Sequence, residues 1–203
     1  GITTVVIRAA VPGNPNNFGE KTFTIDVATG IWFENFDSGS TGWTLTGEWE
    51  HGVPTGTPSG CYGGSCIGTD LDGQYQNNWS WGGCAATSPS IDLATANNPL
   101  LQFQGWISTE GSVYDGCNVK VSTNGGSTWT VVNQVTPAYN CSSISSQPAW
   151  GEDYETWNAQ WYTYTADLSA YAGQQIQIRF DFRTDGSVNS YPGCYVDEVV
   201  ILD

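Results

Sequence analysis

The chain contains no methionine, a single histidine and only five lysines and arginines among its 203 residues. Each shortage removes a class of function. Nucleic-acid binding needs basic side chains to displace counterions, and here twenty Asp and Glu face those five bases, for a net charge of −15. Insertion into or adhesion to an anionic membrane is set aside on the same ground, and no apolar run has the length of a membrane-spanning helix. One histidine, His51, cannot build a multi-histidine metal centre. As the base of a Ser-His-Asp triad it would have no GxSxG elbow to serve. Charged residues make up only 12% of the chain, so the Glu, Lys and Arg that sustain helix surfaces are scarce.

The polar positions are filled instead by Thr, Ser and Asn, beside 25 Gly, ten Trp and ten Tyr. That composition favours strands joined by Gly- and Asn-rich turns. The length suits one large β-sandwich with a real core, or a sandwich with an extra segment. The six cysteines, Cys61, Cys66, Cys84, Cys117, Cys141 and Cys194, show no CxxC spacing. Three disulfides in an oxidising compartment are the simplest account, with the pairing left open. Cys61 and Cys66 are placed to close a short loop, and Cys117 and Cys194 lie in strand-like runs and could staple neighbours. The opening Gly1-Ile2-Thr3 reads as that of a piece excised from a larger chain.

Residues 1–30 form a first segment, with strand-like runs at Thr3–Arg8 and Thr22–Val27 around a Pro/Gly/Asn turn. This is an extra hairpin or the tail of a preceding domain, and the boundary is placed near Gly30. Residues 31–203 then alternate with period two over many short runs. The clearest are Leu100–Ile107, Cys117–Ser122, Trp161–Thr165, Gln175–Arg183 and Cys194–Ile201. Two long stretches, 52–90 and roughly 136–160, read as strand-poor loops. The whole predicts an all-β, two-sheet antiparallel β-sandwich of jelly-roll type, with its first and last strands adjacent.

The order of landmarks carries a resemblance. Phe33-Glu34 and Gly42-Trp43 are followed by Ser88–Leu93, Leu101–Phe103, Asp115-Gly116, Val121–Gly126 and Trp129. Then come Asp167–Gly173, Ile178–Phe180 and Tyr195–Val199. Over residues 31–203 this resembles the bacterial MAM-like jelly rolls known as choice-of-anchor or cleaved-adhesin domains, found on secreted peptidases, adhesins and surface proteins. The resemblance implies an extracellular module, secreted or at the cell surface, that often holds a structural calcium ion. In many carbohydrate-binding jelly rolls a glutamate after the first-strand phenylalanine and an aspartate in the last strand share that ion. Glu34 and Asp197 match those positions, and Asp70 or Asp72 could supply a further carboxylate.

The aromatics divide into two groups. Trp43, Trp106 and Trp129 sit in alternating runs and are expected in the core. Trp79, Trp81, Tyr154 and Trp157 sit in polar loops. There a flat ring could stack on the C–H face of a sugar while nearby amides bind its hydroxyls. Glu48 and Glu50 alternate along one run, as a glycosidase acid pair would, without a wider catalytic signature. The reading that follows is a non-catalytic extracellular binding module, an adhesin or accessory domain, monomeric within a larger chain. Its partner is a glycan or surface protein, and Ca2+ is its cofactor. The alternative is a packing domain of a secreted peptidase or other hydrolase, without a ligand of its own.

Overall fold

A computed structural model describes the backbone of two N-terminal strands and residues 30–151 and 160–203. The N-terminal strands, β1 (Ile2–Val11) and β2 (Asn14–Asp26), pair antiparallel as a hairpin. The chain divides into two compact units, Gly1–Gly30 and Ile31–Asp203.

The second unit is the sandwich. Its strands in chain order are β3 (Gly30–Glu34), β4 (Thr44–Leu45), β5 (Trp49–Gly52), β6 (Cys66–Thr69), β7 (Cys84–Thr87) and β8 (Ile91–Asp92). There follow β9 (Leu100–Ser108), β10 (Gly116–Ser122), β11 (Thr130–Val131), β12 (Val135–Thr136), β13 (Cys141–Ile144) and β14 (Gln147–Ala149). The chain closes with β15 (Tyr162–Asp167), β16 (Gln175–Arg183) and β17 (Gly193–Leu202). One sheet runs β11-β10-β16-β7-β4, with β8 on β16. The other runs β12-β15-β9-β17-β6-β5, with β3 on β17, so the first and last strands of the unit are neighbours as expected. All described pairings in these two sheets are antiparallel.

Period two explains the layers. β16 turns Ile176, Ile178, Phe180 and Phe182 inward, and β9 turns Leu101, Phe103 and Ile107 toward them. Phe180 lies at the centre, stacked on Trp43 with centroids 6.1 Å apart and meeting Phe103 edge-on at 4.8 Å. Each such ring contributes about 1.5–3 kcal/mol through burial.

The outer face of the β10–β16 sheet is also covered. Lys120, Arg179 and Arg183 are the only lysine and arginines of this unit, and the register of β10 against β16 places all three on that face. Lys120 Nζ lies 2.6 Å from Asp181 Oδ2, both buried, beneath the Trp81 ring. Arg179 lies 3.9 Å from the centroid of Trp129 and donates to Thr87 Oγ1. Trp129 therefore caps an outer face, contrary to the expected core position. Trp106 likewise leaves the main core: it packs outside the other sheet with Leu71, Tyr195 and Trp161.

The long stretch 52–90 departs furthest from expectation. It supplies β6 and β7, which sit inside the two sheets. Both are short and almost wholly buried, made of small residues such as Cys84-Ala85-Ala86-Thr87. A strand buried on both faces has no polar alternation to betray it.

Candidate functional site

Two acid clusters and two surface hollows stand out. The first cluster forms where β17 passes the loop before β6. Asp197 is fully buried and accepts N–H bonds from Gly63 and Glu198, each 2.7 Å. A bulge interrupts the β17–β9 register after Asp197, and Glu198 adopts φ +47°. Consecutive strand residues normally point to opposite faces, and the bulge lets both carboxylates turn toward the same loop. A Cβ built on Gly63 would lie 3.3 Å from Glu198 Oε1 and 3.5 Å from Asp197 Oδ2.

Asp37 completes the group. Its Oδ1 accepts from Ser65 N at 3.0 Å, and a Cβ at Gly64 would collide with it unless the Asp37 carboxylate moved aside. Burial holds the Asp197 carboxyl above its ordinary range. The Glu198 and Asp37 charges add to that, against the two amide bonds that favour ionisation. Glu34 stands beside this group in sequence, but its Oε1 accepts from Phe36 N, 2.9 Å away, and closes the turn that leads to Asp37. His51 reaches the same turn, its Nε2 lying 2.8 Å from Phe36 O.

The expected third carboxylate does not come from Asp70 or Asp72. Those residues follow β6, whereas Gly63 and Gly64 precede it, so they lie at the opposite end of the strand. Asp70 adopts φ +53°, and burial together with its hydrogen bond to Asp72 raises its carboxyl. Glu48 and Glu50 hold the same turn, accepting from Gln76 N and Leu71 N. These carboxylates are spent on backbone amides.

The second cluster sits where the start of β10 meets the end of β16. Glu110, Asp115 and Asp185 bring carboxylate oxygens within 4.8 Å of one another. Asp115 is fully buried, bonded by Tyr75 Oη at 2.6 Å and Asp185 N at 2.7 Å. Glu110 Oε2 is buried with no hydrogen-bond partner among the described residues. Burial raises the carboxyls of both Asp115 and Glu110, and the charges of this cluster add to the rise. In sequence Asp115-Gly116 and Asp185-Gly186 read first as turns, with Asp115 also a candidate cation ligand; Glu110, Asp37 and Glu198 were not singled out for cation binding. Their one sequence signal is an acid beside a strand end, which many turns share.

The hollows flank the entry to β15. One, of about 420 Å³, lies between the loop at Pro58–Cys61 and the rings of Trp106 and Trp161, with Gln160 at its rim. Tyr62, which is 56% exposed, meets Trp161 edge-on at 6.4 Å. A disulfide joins Cys61 to Cys66 and fixes this wall against β6. The other hollow, also about 420 Å³, is lined by Pro137, Asn140, Trp150, Tyr162 and Tyr164.

The loop aromatics singled out in sequence are placed differently. Trp79 is half-buried against the main core, with its Nε1 enclosed. Trp81 donates from Nε1 to Ile144 O and lies over Lys120. Both rings are engaged within the fold. Tyr154 and Trp157 lie outside the described residues. Of the six cysteines, Cys61 and Cys66 are bonded, and Cys84, Cys117, Cys141 and Cys194 are all buried.

Comparison with known proteins places this geometry in a family. Over 174 residues, 84% of the chain, it is 30% identical to Bacillopeptidase F of Bacillus subtilis (strain 168), and it spans 10% of that protein's length. The K1 cleaved adhesin domain of Lys-gingipain from Porphyromonas gingivalis W83 superposes with a TM-score of 0.48 at 18% identity. That alignment covers 84% of this chain and 96% of the other. The CBM22-1 xylan-binding domain of Paenibacillus barcinonensis Xyn10C gives 0.46 at 16% identity, over 88% and 96%. Residues 83–202, more than half of the chain, match the model of the immune inhibitor A-like MAM domain, and the chain belongs to that family.

Proposed function

We propose that this domain is an extracellular, non-catalytic binding module that recognises carbohydrate in the hollow beside Tyr62 and Trp161, and that calcium holds its loops in place. The observation that carries the reading is the exposed Tyr62 ring set edge-on to Trp161, which walls a hollow also lined by Gln160. Aromatic faces take the C–H side of a sugar, and amides and hydroxyls take its polar edge. The Cys61–Cys66 bond supports an oxidising, extracellular setting.

The donor chemistry of the acid clusters fits a hard cation. Asp37, Asp197 and Glu198 converge on one loop, and the unit's lysine and two arginines all lie on the outer face of the other sheet. Calcium takes six to eight oxygens, and such carboxylates with nearby carbonyls are its ordinary ligands. Glu110, Asp115 and Asp185 form a second, tighter group, with carboxylate oxygens within 4.8 Å of one another. When bound, the ion would neutralise carboxylates that burial otherwise penalises. The loop that carries Gly63 and Ser65 to the first cluster also carries Tyr62, so the ion would steady the ring that meets the sugar.

The test is retention of the purified chain on a panel of polysaccharides in calcium buffer, repeated with Tyr62→Ala and Trp161→Ala. Retention eluted by soluble sugar and lost in both variants supports the reading; retention unchanged in both contradicts it. A second reading is favoured by the match to one tenth of Bacillopeptidase F: a packing domain of a larger secreted peptidase. That reading predicts no sugar binding and a less stable neighbouring domain when this one is deleted.

A further inference from the structure

Two of the remaining cysteines meet across the sandwich. Cys117 lies on β10 and Cys194 on β17, strands of opposite sheets. Both side chains belong to the main core, each 1% exposed, and the two thiols lie close enough to interact. β10 and β17 bring Cα atoms within 8 Å of each other. Disulfides span Cα separations of about 4.4–6.8 Å.

The backbone is held firmly at both positions. Cys117 exchanges two 2.8 Å bonds with Trp150, and Cys194 N donates to Thr69 Oγ1 at 3.0 Å. Gly193, at φ +107°, lets Thr69 approach where a side chain would collide. Cys84 is no competitor: Phe182 lies between it and Cys117, paired with Cys84 on one side and Cys117 on the other, so they stand two strand spacings or about 9.5 Å apart. Cys141 belongs to a separate cluster with Ile144 and Ala149.

We propose that Cys117 and Cys194 form a second disulfide, which joins the two sheets through the core. The two thiols give up two protons and two electrons to an external disulfide, which leaves as two thiols. Burial pushes the Cys117 thiol well above its usual range, and the thiolate is the attacking species. The exchange therefore takes place while the chain folds, before the sheets close.

The test uses the unmodified chain, refolded in a mixture of reduced and oxidised glutathione, blocked with N-ethylmaleimide in denaturant and digested without reduction. The expected product is a peptide pair linked through Cys117 and Cys194, released by reductant, beside the Cys61–Cys66 loop as internal control. Maleimide on both Cys117 and Cys194 while Cys61–Cys66 is intact would overturn the proposal, as would linkage of Cys117 to Cys84 or Cys141. In a Cys61→Ala/Cys66→Ala background, reductant should lower Tm by roughly 10 °C, from the long loop the bond closes. An unchanged Tm there would also overturn it.

Discussion

Replacing Asp197 by Asn tests whether the first acid cluster holds calcium. Asp197 is fully buried and accepts two 2.7 Å amide bonds, with no basic side chain among its described partners. The amide keeps one acceptor oxygen and sets an NH2 against the other donor. Without metal, the variant loses one charge-assisted bond, about 1.5–3 kcal/mol. It also sheds a charge that faces Asp37 and Glu198, so the two effects partly offset. In calcium the difference is larger. An ion at one hundred times its Kd stabilises the folded state by about 2.7 kcal/mol. At roughly 2–4 °C per kcal/mol for a chain of this size, that raises Tm by about 5–11 °C. Differential scanning fluorimetry in excess chelator and in calcium, with magnesium as control, reads this directly. The wild type should show the rise, Asp197→Asn should lose a large part of it, and Asp197→Asn/Asp115→Asn should lose all of it. A wild-type Tm that is the same in chelator and in calcium would refute the reasoning, as would a double variant with the full increment.

The buried pair beneath Trp81 gives a second prediction. Lys120→Met should cost about 3–5 kcal/mol in urea unfolding because Asp181 is left buried with the Gly82 N hydrogen bond and the more distant Arg179 charge. Lys120→Met/Asp181→Leu should recover most of that loss, and equal destabilisation of the two would show that the pair's burial does not matter. The Cys84 thiol, pushed up to about 12 chiefly by burial, should resist iodoacetamide at pH 8 in the native protein and react fully in denaturant. Rapid native labelling would mean that the β7–β4 side of the sheet opens readily.

The sandwich was legible because most of its strands are half-sided. Gln175–Arg183 and Leu100–Ile107 announce their inner faces by alternation, and the sandwich topology they imply sets the first and last strands side by side. β6 and β7 were illegible because small residues buried on both faces leave no period. Tryptophan placement failed for a related reason. Alternation shows which residues share a face but not that the second face is covered too, as Trp129 over Arg179 and Trp106 beside Tyr195 demonstrate. Asp197 was read from the resemblance, but its companions depend on a bulge and on a Gly63-Gly64 turn from far away in the chain. Asp70 or Asp72 was expected to add a further carboxylate, and the direction of β6 separates them from that site.

The central claim is that the hollow beside Tyr62 and Trp161 takes a sugar. Isothermal titration of the wild type in calcium, with the best oligosaccharide from a polysaccharide panel, tests it most directly, set beside Tyr62→Ala, Trp161→Ala and the control Trp81→Ala. The account predicts saturable binding that each of the first two variants weakens at least tenfold, about 1.4 kcal/mol, while Trp81→Ala binds as the wild type does. Binding lost with Trp81 and kept without Tyr62 and Trp161 would place the ligand on the other sheet and contradict the account; so would no binding to any member of the panel.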